Sequence, residues 1–305
     1  MGVADAWRGP LLCSLAMVLV GSTVVVSKLI AQDIEPFAAT VLRHALALPV
    51  FLVLMRWHGQ RLPRLGRRDA LLLTVQAAAG SVGYSVLLIL GVKLASASDA
   101  GIVAGTLPAA AALFSALLLG ERPGWRLVAA IARATAGVMA GAAAPGEGTA
   151  HGAGNSTRLA GIALVLAAVA CEAVFILASK RLSQPLPALA LSTLMSGGGL
   201  LLSALPAWWV AQVAPPSAFS APALAALLYY AWVPTVGGFL LWYAGSACTS
   251  GVRASLATVW LPVSALLLSS VFLGESILAW QWLGLACVVA AVLLAARPGR
   301  QGTGE

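Results

Sequence analysis

Charge is what this chain has least of. Only 9% of its 305 residues are Asp, Glu, Lys or Arg, against about a quarter in a soluble domain. With 60% hydrophobic residues, no water-soluble core could hide the apolar surface, so lipid is the expected solvent. Histidine is scarce and scattered (His44, His58 and His151). There is no HExxH and no pair of intramembrane carboxylates, so a membrane-embedded enzyme acting on a lipid or isoprenoid carrier has no footing. The four cysteines, Cys13, Cys171, Cys248 and Cys287, stand singly without metal-ligand spacing, as small apolar fillers do. No phosphate-binding Walker loop is present, so ATP hydrolysis within the chain is not supported. The expectation is a protein that is not an enzyme and carries no cofactor or metal. Acidic residues are few as well, and the net charge of +8 would suggest nucleic acid in a soluble protein. Here the basic residues fall in short loops, which points to anionic headgroups and membrane topology instead.

What the chain does have is long apolar runs. A helix needs about 20 apolar residues to cross the hydrocarbon, and on that length spans are expected near 10–30, 36–56, 70–92, 97–119, 124–143, 159–179, 187–210, 223–244, 251–273 and 278–296. Pro36, Pro187 and Pro222 stand at helix starts, and Gly120 and Gly274 follow last apolar turns, the positions these residues favour. The first run begins at Pro10 and continues too long for a cleavable signal, so none is expected. With both termini cytoplasmic, thirteen Lys and Arg fall on the inner side, including Arg56 to Arg68, Lys180 and Arg181. Three (Lys28, Lys93 and Arg158) fall outside, a strong positive-inside bias for a multi-pass protein of the plasma or inner membrane. Most tryptophans lie near span ends; Trp232, Trp242 and Trp260 do not.

The chain also repeats itself. Leu107-Pro108 is followed by Gly120-Glu121, and Leu261-Pro262 by Gly274-Glu275, at a constant shift of 154. Across 83–121 against 237–275 the shift leaves 13 of 39 positions identical without a gap, where chance in so Ala/Leu-rich a chain gives roughly four. Five spans per half would make the second copy cross the membrane in the opposite sense, with a site where the halves meet. The expected fold is an all-α integral membrane protein of ten transmembrane helices, arranged as two inverted-topology repeats of five. The first repeat covers 11–142, a Gly-rich linker 143–158, the second repeat 160–296 and a cytoplasmic tail 297–305.

These residues carry a family resemblance. Ser27-Lys28-Leu29 at the end of the first span has a counterpart in Ser179-Lys180-Arg181. To these add Leu42-Arg43, the Ser96–Ala100 start of the fourth span, and the paired Pro-x11-Gly-Glu endings. The chain resembles a ten-span EamA-type member of the drug/metabolite transporter superfamily over two units, about 11–142 and 160–296. The resemblance implies transport of small metabolites, frequently export of amino acids or related compounds, through a central cavity. It names no substrate. The sequence departs from the pattern at Val20-Gly21-Ser22, where a Trp-Gly pair is common, and at Glu172 in the corresponding stretch of the sixth span.

Glu172 is the singular polar residue. It sits amid apolar neighbours where a carboxylate costs about 2.5–3.5 kcal/mol unless paired or hydrated. It could bind a substrate ammonium, couple transport to protons, or pair with Arg43 or Arg133. Arg43, with His44 beside it, could meet an anionic group of the substrate, but the resemblance implies a peripheral span for it; Arg133 reads as a packing or snorkelling cation. Tyr84, Thr106, Trp242, Tyr243, Thr258 and Trp260, with Gln76 and Ser81 near them, are the other candidates for lining a solute cavity. Pro108 and Pro262 remove backbone donors in mid-span and are candidate hinges. Glu121 and Glu275 read as turn caps, and Asp99 and Arg253 as rim charges. The expected function is secondary transport of a small organic solute by alternating access; the alternative is a non-catalytic subunit or a lipid- or glycolipid-translocating protein.

Overall fold

The computed structural model describes residues 3–107, 110, 113–114, 155–179, 181–213, 219–249, 257–279, 281–283 and 285–286. Pro108, Glu121, Arg133, Arg253 and linker residues 143–154 lie outside the described residues. Among the described residues the protein is helical, without strands. Helices α1 (Val3–Asp33), α2 (Pro36–Trp57), α3 (Arg67–Gln76), α4 (Tyr84–Leu94) and α5 (Ala97–Ala104) are followed by α6 (Asn155–Ser179) and α7 (Ala188–Val213). Then come α8 (Ala221–Tyr230), α9 (Phe239–Ala247) and α10 (Trp260–Leu273). Two π-helical segments, Ala77–Gly83 and Ala231–Gly238, join α3 to α4 and α8 to α9. Among the described residues, six continuous helical stretches are long and apolar enough to cross a membrane: Trp7–Asp33, Pro36–Trp57, Arg67–Leu94, Ser156–Ala178, Ala188–Val213 and Ala221–Ala247. Trp260–Leu273 is a shorter apolar helix.

Local chemistry sets the helix ends. Glu35, Ser96 and Ser220 cap α2, α5 and α8 by accepting from Ala38 N (2.8 Å), Asp99 N (2.9 Å) and Ala223 N (3.3 Å), each supplying an acceptor to an orphan amide. Gly274 ends α10 at φ 66°, a backbone conformation that favours glycine. Leu201, Leu205, Trp208, Trp209, Val271 and Phe272 point outward, as lipid-facing residues must.

Two helix crossings are made by glycine pairs. α4 meets α6 where a methyl on Gly91 would lie 3.1 Å from the carbonyl oxygen of Gly161. α9 meets α1 where a methyl on Gly245 would lie 3.0 Å from that of Gly9. In lipid such small-residue contacts let backbones approach and pack. The two π segments begin 154 residues apart (231 − 77), as do Gly91 and Gly245.

Side-chain bonds show which helix ends meet. At one end, Lys28 donates to Ala95 O (2.7 Å), Asp33 meets Ser220, and Arg158 pairs with Asp99 (2.8 Å). There too the Glu275 carboxylate accepts from Ala97 N (3.0 Å) and Ser98 N (2.7 Å). At the other end Gly9 lies against Cys248, and Asp69 accepts from Ser183 Oγ at 2.9 Å. α1 therefore runs from the second end to the first, and α6 from the first to the second.

Candidate functional site

The inward stripe of α2 is Ala39, Thr40, Arg43, His44, Ala47, Phe51 and Met55, the three-and-four spacing of one helix face. It carries Arg43 and His44 to the middle of the molecule, where both are buried; Arg43 is central, not peripheral. The His44 ring lies flat against Gly199 of α7, leaving no room for a side chain there. Arg43 Nη2 lies 2.7 Å from His44 Nε2. A guanidinium can only donate, so Nε2 accepts and Nδ1 carries the proton, which it presents to Ser196 Oγ at 3.3 Å. Arg43 Nη2 also donates to the carbonyl of Ser81 (2.7 Å), inside the first π segment. The guanidinium carbon stands 4.5 Å from the centre of the Tyr230 ring, one residue before the second π segment, a cation–π arrangement. One side chain thus touches both bends. Among the described residues its Nε has no hydrogen-bond partner.

Glu172 approaches the first π segment from α6. Its neighbour Cys171 packs on Gly83, where a methyl would lie 3.0 Å from the Cys171 Sγ, and Phe175 packs on Gly80. The carboxylate is 8% exposed. Among the described residues no hydrogen bond or ion pair reaches it; the ion pair seen is Arg158–Asp99. Arg43, Tyr84 and Tyr243 lie within its electrostatic reach. The surrounding groups are polar and aromatic. Tyr84 OH contacts Thr23 Oγ1 at 3.4 Å. Gln76 Nε2 donates to Tyr243 OH and Phe175 O, both at 3.1 Å, while Gln76 Oε1 is buried without a partner. The rings of Phe175, Phe239 and Tyr243 cluster with centroids 5.9–6.3 Å apart. Gly238 is buried, yet among the described residues a methyl there would meet nothing within 4 Å: open space adjoins the second π segment.

Of the residues singled out from sequence, Tyr84, Glu172, Trp242 and Tyr243 are buried in this central region. Thr106 is buried but returns its hydroxyl to Val103 O (2.7 Å). Thr258 and Pro262 are buried in the second half; Trp260 is 46% exposed and stands apart from the polar group. α5 gives way to a turn at Gly105 and Thr106, and a turn at Thr258 and Val259 precedes α10, each just before a Leu-Pro pair. Asp99 is no open rim charge, because Arg158 and Gln281 enclose it. Glu275 does cap amides, those of α5. Ser196 and Tyr230 were not foreseen. His44 and Ser196 are 152 residues apart, the spacing of the two Ser-Lys motifs, so the repeat itself could have pointed to Ser196.

Comparison with known proteins agrees over nearly the full length. Residues 7–140 and 159–297 match the EamA-like transporter family. The uncharacterized transporter YetK of Bacillus subtilis is 35% identical over 283 residues, 92% of this chain and 84% of that protein. A probable terminal-alkyne amino-acid exporter of Streptantibioticus cattleyicolor is 30% identical over 220 residues, 71% of this chain and 69% of its own. The uncharacterized inner membrane transporter YicL of Salmonella typhimurium is 26% identical over 303 residues, 96% of this chain and 97% of its own. A crystal structure covering 97% of both chains shares the fold with a TM-score of 0.67 at 23% identity. Apolar helices of spanning length, a polar centre where the matching stretches meet, and two matches that together cover most of the sequence lead to one assignment: the chain belongs to the EamA-like transporter family.

Proposed function

We propose that this protein is a secondary transporter that moves a small organic solute bearing a cationic group, such as an amino acid or related compound, outward across the plasma or inner membrane. Two five-helix halves of opposite topology alternate access to a site between them. The observation that carries the reading is Glu172, a carboxylate buried at mid-helix and left without an ion pair or hydrogen bond among the described residues. A buried charge of that kind is expensive, and in membrane helices it marks a solute or ion pathway. The opposite running of α1 and α6, the equal spacing of the π segments and the open space at Gly238 support the two-half arrangement. The basic loop Arg56–Arg68 adjoins the end where Asp69 meets Ser183, which supports a cytoplasmic position for that end and for both termini. An exporter among the relatives supports the direction. Tyr84, Trp242 and Tyr243 furnish the aromatic wall, with Thr106, Thr258 and Trp260 further along the path and Pro108 and Pro262 as hinges. A proton on Glu172 would compete with the solute's cationic group, so exchange depends on pH; Arg43, Tyr84, Tyr243 and Cys171 are the titratable groups around it.

The test is counterflow of labelled amino acids and small amines into proteoliposomes. Exchange is expected for at least one amine-bearing solute, and Glu172→Gln is expected to lower it at least about tenfold, the loss of one charge-assisted contact, and to flatten its pH dependence. A flat response across the whole panel with wild-type protein would refute the transport reading.

A further inference from the structure

Arg43 carries more contacts than packing requires and fewer than its charge demands. It reaches the centre from α2, holds the Ser81 carbonyl and His44 through one nitrogen, and lies over Tyr230. Every one of these partners is neutral. Its Nε is buried without a partner, and Glu172 is the carboxylate that acts on it electrostatically. Glu172 in turn has Arg43 as the cation that acts on it. Both flank the first π segment: Arg43 bonds Ser81, and the neighbours of Glu172 pack on Gly80 and Gly83. Two opposite charges, each without a formal partner, thus stand on either side of one bend.

We infer that Arg43 is the built-in counter-ion of Glu172, neutralising the carboxylate when no solute occupies the site and yielding it to the solute's cationic group on binding. The inference rests on the reading of Glu172 as the solute site. It follows from what each half of a transport cycle must bury. When the loaded carrier closes, Glu172 is shut away from water with the solute's positive charge beside it. An empty carrier has no such charge, and an unpaired carboxylate in low dielectric is costly. Arg43 meets the need without a second ion. Because the same guanidinium grips the first bend and lies over the residue before the second, its attraction to Glu172 is felt by both bends. Arg43 is therefore a positioning residue, acting on solute only through Glu172.

The inference is tested on purified full-length protein without added solute, so its outcome does not depend on the counterflow assay. A double-mutant cycle in Arg43→Gln, Glu172→Gln and the pair separates charge compensation from packing. R43Q is expected to lower the melting temperature by about 5 °C or more, and E172Q to lower it less, because Arg43 keeps Ser81, His44 and Tyr230. In R43Q/E172Q at least half of the loss returns, since no carboxylate is left uncompensated. If R43Q cannot be recovered folded, recovery of R43Q/E172Q is the expected result. A loss that E172Q fails to restore would mean Arg43 only packs against Ser81 and Tyr230, and the inference falls; it falls equally if R43Q melts like wild type. A flat counterflow panel with a positive cycle would instead remove the solute reading and leave the charge pair standing.

Discussion

The first π segment, Ala77–Gly83, contains no proline, whereas the second, Ala231–Gly238, has Pro234 within it. Gly80 and Pro234 occupy the same place in the two stretches, 154 residues apart. Pro234 has no amide to give the Tyr230 carbonyl, which a regular helix would satisfy from that position. A π turn bonds one residue further on, and the Thr235 hydroxyl also reaches that carbonyl at 2.8 Å. Gly80 keeps its amide, and its bend forms where α6 presses the Phe175 ring against the backbone. The freed polarity is handled differently too: in the first segment a cation from α2 holds the Ser81 carbonyl. The geometry is common to both halves and its chemical cause is not. Packing decides where the helix bends, and the residue at the bend is the one that tolerates it.

The largest effect expected from that contrast is at Gly80. A methyl there would lie 2.8 Å from Phe175 Cβ and closer still to the ring, so Gly80→Leu forces α4 and α6 apart. The cost is about 3 kcal/mol, the upper range of overpacking, read as loss of monodisperse protein after extraction. Normal yield and melting for that variant would show that the first bend is not set by α6. Next is Gly238→Leu. The second bend has open space where the first has Tyr84 (84 + 154 = 238), so the larger side chain should fold normally, melting within about 4 °C of wild type. Transport should nevertheless fall at least about tenfold as the space is filled. If G238L instead misfolds like G80L, the halves are alike at this point and the proposed asymmetry is lost.

Much of this was legible in the sequence, for reasons that differ by residue. Apolar length and basic loops are summed over many positions, so the spans over α1, α2, α6 and α7 emerged with their ends within a few residues. Glu172, Tyr84 and Tyr243 were conspicuous because polar or aromatic groups stand out in a small, apolar helix. The bends were less accessible. Proline directed attention to Pro108 and Pro262, yet Pro262 is the third residue of α10, in the first turn, where no intrahelical donor is needed. The bend at Gly80 depends on Phe175, 95 residues away in the chain, and no local pattern announces it. Arg43 looked peripheral because the family resemblance implies a peripheral place for its span, and nothing local in the sequence shows that α2 turns a charged face to α7 and α8.

The smallest expected change is also the most discriminating test of where the second bend comes from. If Pro234 causes it, Pro234→Ala should return the Tyr230 carbonyl to an ordinary α-helical bond, straighten the stretch and rotate α9 relative to α8. That rotation would carry Gly245 away from Gly9, where a methyl on Gly245 would lie 3.0 Å from the Gly9 carbonyl oxygen, and Tyr243 away from Gln76, whose hydrogen bond is 3.1 Å long. The first half bends at the same place without a proline, so the contacts on both sides of the segment are expected to hold it: Arg43 against Tyr230 before it, and the Gly9–Gly245 crossing after it. P234A should then melt within about 4 °C of wild type, roughly 1 kcal/mol, and retain counterflow within about threefold. The Thr235 hydroxyl would still serve the Tyr230 carbonyl. A collapse of transport comparable to that of E172Q would mean the proline itself imposes the bend, and that the two halves reach one shape by routes that are independent after all.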